Sequence, residues 1–414
     1  MTEPIAFDMS PPPPTKVDPT VEGRVAVYDF IRGIAILGIL LANIPAFGNS
    51  LFATMLDPTA PLSPIDATVS AWTGVLVTGK FRTMLAMLFG IGIYLQYQKR
   101  SEVQGNWPGG YLKRTIFLML FGLIHGILIW YGDILFLYSL VAFVVCLFAG
   151  FSDRVLIWLA SVSFGLAVLA GIGATLAAGL VDPATIKEAM TSGGMPQALT
   201  LQAEMAAYAN GSFLDQVAHR AQAFLFLFSS LIFFCPLLGG FFVLGLLFGR
   251  HGVLAKPSAH PKTVRRFLLL GSGLGLPLTA AVEFLIPSGA PFIIAQAVEI
   301  LYGPLVATGL IMLLAVMSER GVLPNVQSAI AKVGRTAFSC YIMQSLICTA
   351  IFYSWGGGLF GKLNRLEMLI VVPFVWAANL IFAHYWLKKY RMGPLEWLWR
   401  SLTESRKMEL RRQN

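Results

Sequence analysis

Long apolar blocks broken by short polar stretches fill the chain: residues 28–47, 82–98, 113–131, 133–150, 155–180, 221–249, 266–286, 291–317, 336–353 and 367–388. A helix needs about 17–25 apolar residues to cross the hydrocarbon core of a bilayer. The pattern therefore predicts an all-α, polytopic integral membrane protein with about ten transmembrane helices in one domain, residues 25–400. Residues 63–79 (SPIDATVSAWTGVLVTG) are shorter and carry Asp66, Ser70 and Thr73. They are read as an interfacial helix on the outer face, with an eleventh span as the alternative. An outer loop over 182–219 is expected to hold a short amphipathic helix around IKEAM and LQAEMAAYA. Residues 1–24, with four consecutive prolines and no basic n-region, read as a disordered cytoplasmic tail, not a secretory signal. Residues 401–414 form a basic cytoplasmic tail. No internal repeat is visible, which weakens a transporter built from inverted halves.

Composition supports lipid as the solvent. Hydrophobic residues make up 56% of the 414 and charged ones only 12%, where a water-soluble domain carries roughly 25% charged residues. The net charge of +9 would suggest nucleic acid in another setting. Here the basic residues sit between the apolar blocks, without a basic stripe interleaved with aromatics, so no nucleic acid is expected. With ten spans and both termini cytoplasmic, 23 of the 30 Lys and Arg fall on the cytoplasmic side, as the positive-inside rule requires. A bacterial plasma (inner) membrane location follows. Cys146, Cys235, Cys340 and Cys348 all lie in apolar blocks at non-ligand spacings. No metal, tightly bound cofactor or disulfide is expected.

Chemistry must come from polar residues that a bilayer tolerates only at a cost of several kcal/mol by most estimates. In DFIRGIAILGILLANI, Asp29 and Arg32 share a helical face, and Asn43 points the same way about 16 Å further out. The pair reads equally as a substrate contact or as an interfacial ion pair. In KRTIFLMLFGLIHGILIWYGDILFLYSL, His125 nears the outer end of one span and Asp133 follows at the turn. Asp133 can fix the tautomer of His125 and raise its basicity, as a general base requires, or the histidine is a hydrogen-bonded core residue. In GRTAFSCYIMQSLIC, Tyr341, Gln344, Ser345 and Cys348 fall on one helical face, a candidate cavity lining. Glu299 is another buried acid beside a kink at Pro304, and Arg82 stands at the outer side. Ser345 has no Gly-x-Ser-x-Gly elbow, so no hydrolase triad is expected around it.

DFIRGIAILGILLANI, KFRTMLAMLFGIGIYL, the His125–Asp133 stretch, GRTAFSCYIMQSL and GPLEWLWR together resemble the YeiB-like family of bacterial membrane proteins (domain of unknown function 418), over nearly the whole chain after residue 24. More distantly, Asp29, Arg32 and Gly33 with the Asn at the far end of the span resemble the shared motif of the transmembrane acyltransferase superfamily. That resemblance implies transfer of an acyl group from a cytosolic acyl-CoA to a hydroxyl-bearing acceptor on the far side. In many relatives a catalytic histidine stands where this chain has Asn43. In others an asparagine is followed by a histidine a short way downstream, but here none lies between Asn43 and His125. The implied assignment makes His125, Asp133 and Asn43 catalytic, and Asp29, Arg32, Arg82, Glu299, Tyr341 and Gln344 substrate-binding. A proton-coupled transporter or channel for a small solute, using His125, Asp133, Glu299 and Arg32 as its path, is the rival class.

Overall fold

The computed structural model describes residues 21–52, 62–105, 107–180, 199–231, 234–285 and 292–412. In chain order these residues form α1 (Val21–Gly48), α2 (Pro64–Leu76), α3 (Lys80–Gln104), α4 (Gly109–Leu128), α5 (Leu135–Val145) and α6 (Asp153–Leu180). There follow α7 (Leu201–Met205), α8 (Phe213–Leu231), α9 (Cys235–His251), α10 (Pro261–Leu268) and α11 (Leu276–Leu285). The chain closes with α12 (Phe292–Glu319), α13 (Pro324–Arg335), α14 (Ala337–Phe352), α15 (Arg365–Lys389) and α16 (Pro394–Glu404). An apolar solvent leaves backbone N–H and C=O groups no water to pair with, so each segment satisfies them internally as helix.

Among the described residues, six segments are long and apolar enough to cross a membrane: Ala26–Gly48, Pro64–Ser101, Gly109–Leu128, Asp153–Gly173, Pro261–Phe284 and Arg365–Lys389. Shorter apolar helices occupy Leu135–Phe148, Cys235–His251, Gly303–Glu319 and Ala337–Phe352. Trp158, Leu169, Leu225, Ile370 and Phe374 are exposed on the outside of the bundle, an apolar surface suited to lipid. The chain is an integral membrane protein.

Two sequence-defined segments subdivide. The 221–249 block splits into α8 and α9, because Pro236 lacks an N–H and is accommodated in the first turn of a new helix. The 63–79 stretch becomes α2, whose 13 residues extend about 20 Å, and Gly79 at φ 76° turns the chain into α3. The IKEAM stretch and residues 1–20 lie outside the described residues.

Glycine sets the closest helix crossings. A methyl group at Gly90 of α3 would overlap the Phe242 carbonyl of α9, and one at Gly245 of α9 would overlap the Met87 carbonyl of α3. α1 meets α13 in the same manner, with Gly33 against Ile330 and Gly334 against Asp29. Without a strong hydrophobic drive between helices in lipid, such backbone proximity supplies the dispersion contact that holds them.

The amphipathic helix α16 anchors α14. Both oxygens of Glu396 are used: Oε1 accepts from the backbone N–H of Phe338 at 2.7 Å and Ser339 at 3.2 Å, and Oε2 accepts from Ser339 Oγ at 2.5 Å. A carboxylate there satisfies the unpaired amides of the helix start and complements its dipole. Trp399 of α16 donates from Nε1 to the Arg114 carbonyl at 2.8 Å, and the Arg114 guanidinium lies 3.5 Å over its ring. This strap fixes α14 relative to α4, the two helices that carry the site.

Candidate functional site

His125 lies in the last turn of α4. Gly122 and Gly126 flank it, and a methyl group at either would strike Phe136 and Asp133 or the Phe224 ring. They admit α5 and α8 to close range around the imidazole. Asp133 precedes α5 and divides its two oxygens. Oδ1 accepts from the Phe136 N–H at 2.7 Å, holding the first turn of α5, while Oδ2 lies 2.7 Å from His125 Nδ1. On the other side of the ring, Nε2 is 2.9 Å from Ser345 Oγ of α14.

This makes a continuous chain, Ser345–His125–Asp133, across three elements. Asp133, when ionised, only accepts, so the Nδ1 proton points to it and the Nε2 lone pair faces the Ser345 hydroxyl. That is the tautomer a nucleophile's base needs. His125 and Ser345 are each 1% exposed, and the Asp133 side chain is fully buried. Tyr341 closes the side of the site, its ring centroid 5.1 Å from that of His125 and its hydroxyl 3.4 Å from the Ile134 N–H.

The structure thus brings His125, Asp133 and Tyr341 together and adds Ser345, which the sequence offers as a cavity-lining residue but, for want of an elbow, not as a triad member. The elbow serves strand-to-helix nucleophiles. Here the serine projects from the middle of a membrane helix, so that motif does not apply. The other predicted residues stand apart. Gln344 donates from Nε2 to the Ile36 carbonyl at 3.1 Å, fastening α14 to α1. α1 and α14 run parallel, with Ile36 beside Gln344 and Gly48 beside Phe352. That register sets Asn43 about 3–9 Å beyond Ser345 along the helix axes; its amide makes no hydrogen bond to another described residue. Arg32 Nη1 pairs with Asp29 at 2.8 Å and reaches the Gly334 carbonyl at 3.4 Å, at the opposite end of the helix from Asn43. Arg82 accepts through its carbonyl from the Tyr138 hydroxyl at 2.5 Å, and its guanidinium lies 5.9 Å from the Phe234 ring. Glu299 is on α12, with its side chain outside the described residues.

Outside the His125 centre lies a second buried polar group that the sequence reading missed. Gln216, His219 and Arg220 share one face of α8 and are all buried. His219 Nδ1 is 2.9 Å from the Tyr208 hydroxyl, and Glu204 of α7 is hydrogen-bonded to Ser50 beyond the end of α1. The available signal was the i, i+3, i+4 spacing of DQVAHRAQ, a polar stripe easily taken for a solvated loop face. Burial pushes the Glu204 carboxyl from 4.5 up to about 8. Between those values the folded protein keeps a proton that the unfolded chain releases, so stability should fall as pH rises through that window, by on the order of a few kcal/mol. Glu204→Gln is expected to flatten the decline, giving a melting temperature above wild type at pH 9 and close to it at pH 5. Thermal unfolding in detergent at the two pH values measures this.

With this geometry in view, known proteins place the chain. It is 32% identical to "Uncharacterized protein YxaH" of Bacillus subtilis (strain 168), over 94% of this chain and 96% of that one. It is 33% identical to "Uncharacterized protein YeiB" of Escherichia coli (strain K12), over 92% and 96%. Residues 248–406 match the family described as "Protein of unknown function (DUF418)". The chain belongs to the YeiB-like DUF418 family. The DUF418 match includes Ser345 and Glu396, while His125 and Asp133 lie in the part aligned with the full-length YeiB-like relatives.

Proposed function

We propose that this chain transfers an acyl group to a hydroxyl-bearing acceptor on the outer face of a bacterial plasma membrane, which it crosses about ten times with both termini in the cytoplasm. The observation that carries the reading is the Ser345–His125–Asp133 chain, with contacts of 2.9 and 2.7 Å. In the first half-reaction, Ser345 Oγ attacks the acyl carbonyl as His125 Nε2 takes its proton. The thioester C–S bond breaks, and the departing thiolate receives that proton from His125. In the second, the acceptor hydroxyl gives its proton to His125 and attacks the acyl-serine ester. The Ser345 C–O bond to the acyl group breaks and the proton returns to Ser345. Asp133 holds the imidazolium in both. The amide of Asn43, beyond Ser345 toward the same end of the bundle, is a candidate to stabilise the oxyanion.

A cytosolic acyl-CoA is the donor class. Arg32, Arg335 and Arg400 act on Asp29, and Arg400, Arg100 and Arg32 act on Arg114. This gathers cationic field at the cytoplasmic ends of α1, α4 and α13 that attracts phosphates. Ser345 and His125 are buried, so delivery of the acyl group requires the surrounding helices to part.

The test is mass spectrometry of the protein, reconstituted in proteoliposomes and quenched after exposure to acetyl-CoA. One acetyl group is expected on the peptide containing Ser345, and none on Ser345→Ala. Absence of any adduct or acylated product, together with solute uptake driven by a proton gradient, would overturn acyl transfer in favour of the transporter class.

A further inference from the structure

An apolar cleft of about 330 Å³ opens between the outer ends of α4, α8 and α14. Leu128, Phe213, Leu346 and Trp355 line it, each roughly half exposed to the surroundings of the bundle. Two polar residues, Thr349 and Arg220, also belong to its lining. The cleft adjoins the His125 centre: Leu346 follows Ser345 on α14, Thr349 donates from its hydroxyl to the Ser345 carbonyl at 2.9 Å, and Leu128 is three residues past His125.

Arg220 gives the cleft its character. It is 1% exposed, yet no carboxylate forms an ion pair with it among the described residues. Nε donates to the Ile127 carbonyl at 3.0 Å, and the guanidinium lies 5.4 Å from the Phe213 ring centroid. Nη2 is buried with no hydrogen-bond acceptor. The hydroxyl of buried Tyr353, within electrostatic reach of Arg220, also has no hydrogen-bond partner. A buried cation without a counter-ion and with an idle donor is strongly unfavourable unless an anion completes it. A lone water-soluble anion would not need four apolar walls open to lipid.

We propose that this cleft binds the anionic head of an amphiphile, a phosphate or carboxylate bearing an acyl chain, with the oxyanion on Arg220 and the chain along Leu128, Leu346 and Trp355. As the substrate class of the acceptor, this rests on the acyl-transfer reading; as a binding site, it does not. The position fits a membrane-borne acceptor that presents a hydroxyl toward Ser345 from the outer leaflet.

The test is lipid retention by the full-length protein, measured by native mass spectrometry after incubation with vesicles of phosphatidylglycerol, vesicles of phosphatidylcholine, oleate, or inorganic phosphate. Phosphatidylglycerol or oleate is expected to bind about tenfold more tightly than phosphatidylcholine, the worth of one charge-assisted contact. Which of the two binds tells phosphate from carboxylate. Arg220→Gln is expected to abolish the difference and Arg220→Lys to keep part of it. Equal binding of phosphatidylglycerol, oleate and phosphatidylcholine would overturn the proposal, as would inorganic phosphate binding as tightly as the amphiphiles. Should Arg220→Gln fail to fold, Leu346→Trp fills the cleft without altering the guanidinium. It is expected to expel the amphiphile, and undiminished retention would overturn the site. Ser345→Ala separates the two ideas, since it should lose acyl transfer and retain the lipid.

Discussion

Acyl transfer by His125→Asn is expected to fall about 10³-fold in kcat, within the range a positioned general base contributes. Asparagine is the informative substitution because its amide can still donate to Asp133 Oδ2, the contact now made by Nδ1 at 2.7 Å. Alanine would leave a buried carboxylate unpaired, which destabilises by roughly 3–5 kcal/mol and would mix folding with chemistry. With asparagine the fold is kept, and what disappears is the Nε2 lone pair facing Ser345 at 2.9 Å. Asp133→Asn should show a comparable loss by another route. An amide in place of the carboxylate favours the opposite imidazole tautomer, placing a proton where the serine hydroxyl must donate. The first turn of α5 should stay in place, since the amide oxygen of asparagine can still accept from the Phe136 N–H, as Oδ1 does now at 2.7 Å. Steady-state transfer in proteoliposomes, with near-ultraviolet circular dichroism to verify packing, checks both. Wild-type kcat in His125→Asn would remove the base role altogether.

Why part of this centre was legible in the sequence and part was not follows from distance along the chain. His125 and Asp133 are eight residues apart across one tight turn, so local geometry alone placed them together. Asp29 and Arg32, one turn apart on α1, were predictable for the same reason and form their pair. Ser345 is 220 residues from His125, and its placement depends on how α14 packs. That packing is set by Glu396 at the α14 start and by Gln344 against Ile36; periodicity put Gln344 and Ser345 on one face of α14 but did not say which helices that face meets. The membrane class was legible because burial in lipid demands long apolar runs. The Arg220 cleft was not, because a polar stripe such as Gln216, His219 and Arg220 looks identical whether it faces water or the interior. Arg32 and Arg82, given as substrate-binding on the sequence, are each engaged within their own neighbourhoods, Arg32 with Asp29 and the Gly334 carbonyl and Arg82 beside the Phe234 ring.

The largest effect on folding is expected from the smallest change, Gly90→Ala on α3. The same substitution at Gly92, two residues away, provides the control. Nothing lies within 4 Å of a methyl group at Gly92, and alanine there should stabilise the helix slightly, by up to about 1 kcal/mol, through reduced chain entropy. At Gly90 the methyl group would occupy the space of the Phe242 carbonyl and crowd the Leu246 backbone nitrogen of α9. These are backbone atoms, so no rotamer change relieves the overlap, and the two helices must separate along their whole contact. Separation also uncouples Gly245 from Met87, the reciprocal close approach, and forfeits dispersion contact that lipid does not replace in kind. A loss of about 3 kcal/mol or more is expected, at or beyond the usual upper range for overpacking, against a total stability of roughly 5–15 kcal/mol. Fluorescence-detected gel filtration after graded heating should therefore show Gly90→Ala aggregating well below wild type, and Gly92→Ala at or above it. Equal melting of the two variants would mean that α3 and α9 are not held by backbone contact at this crossing.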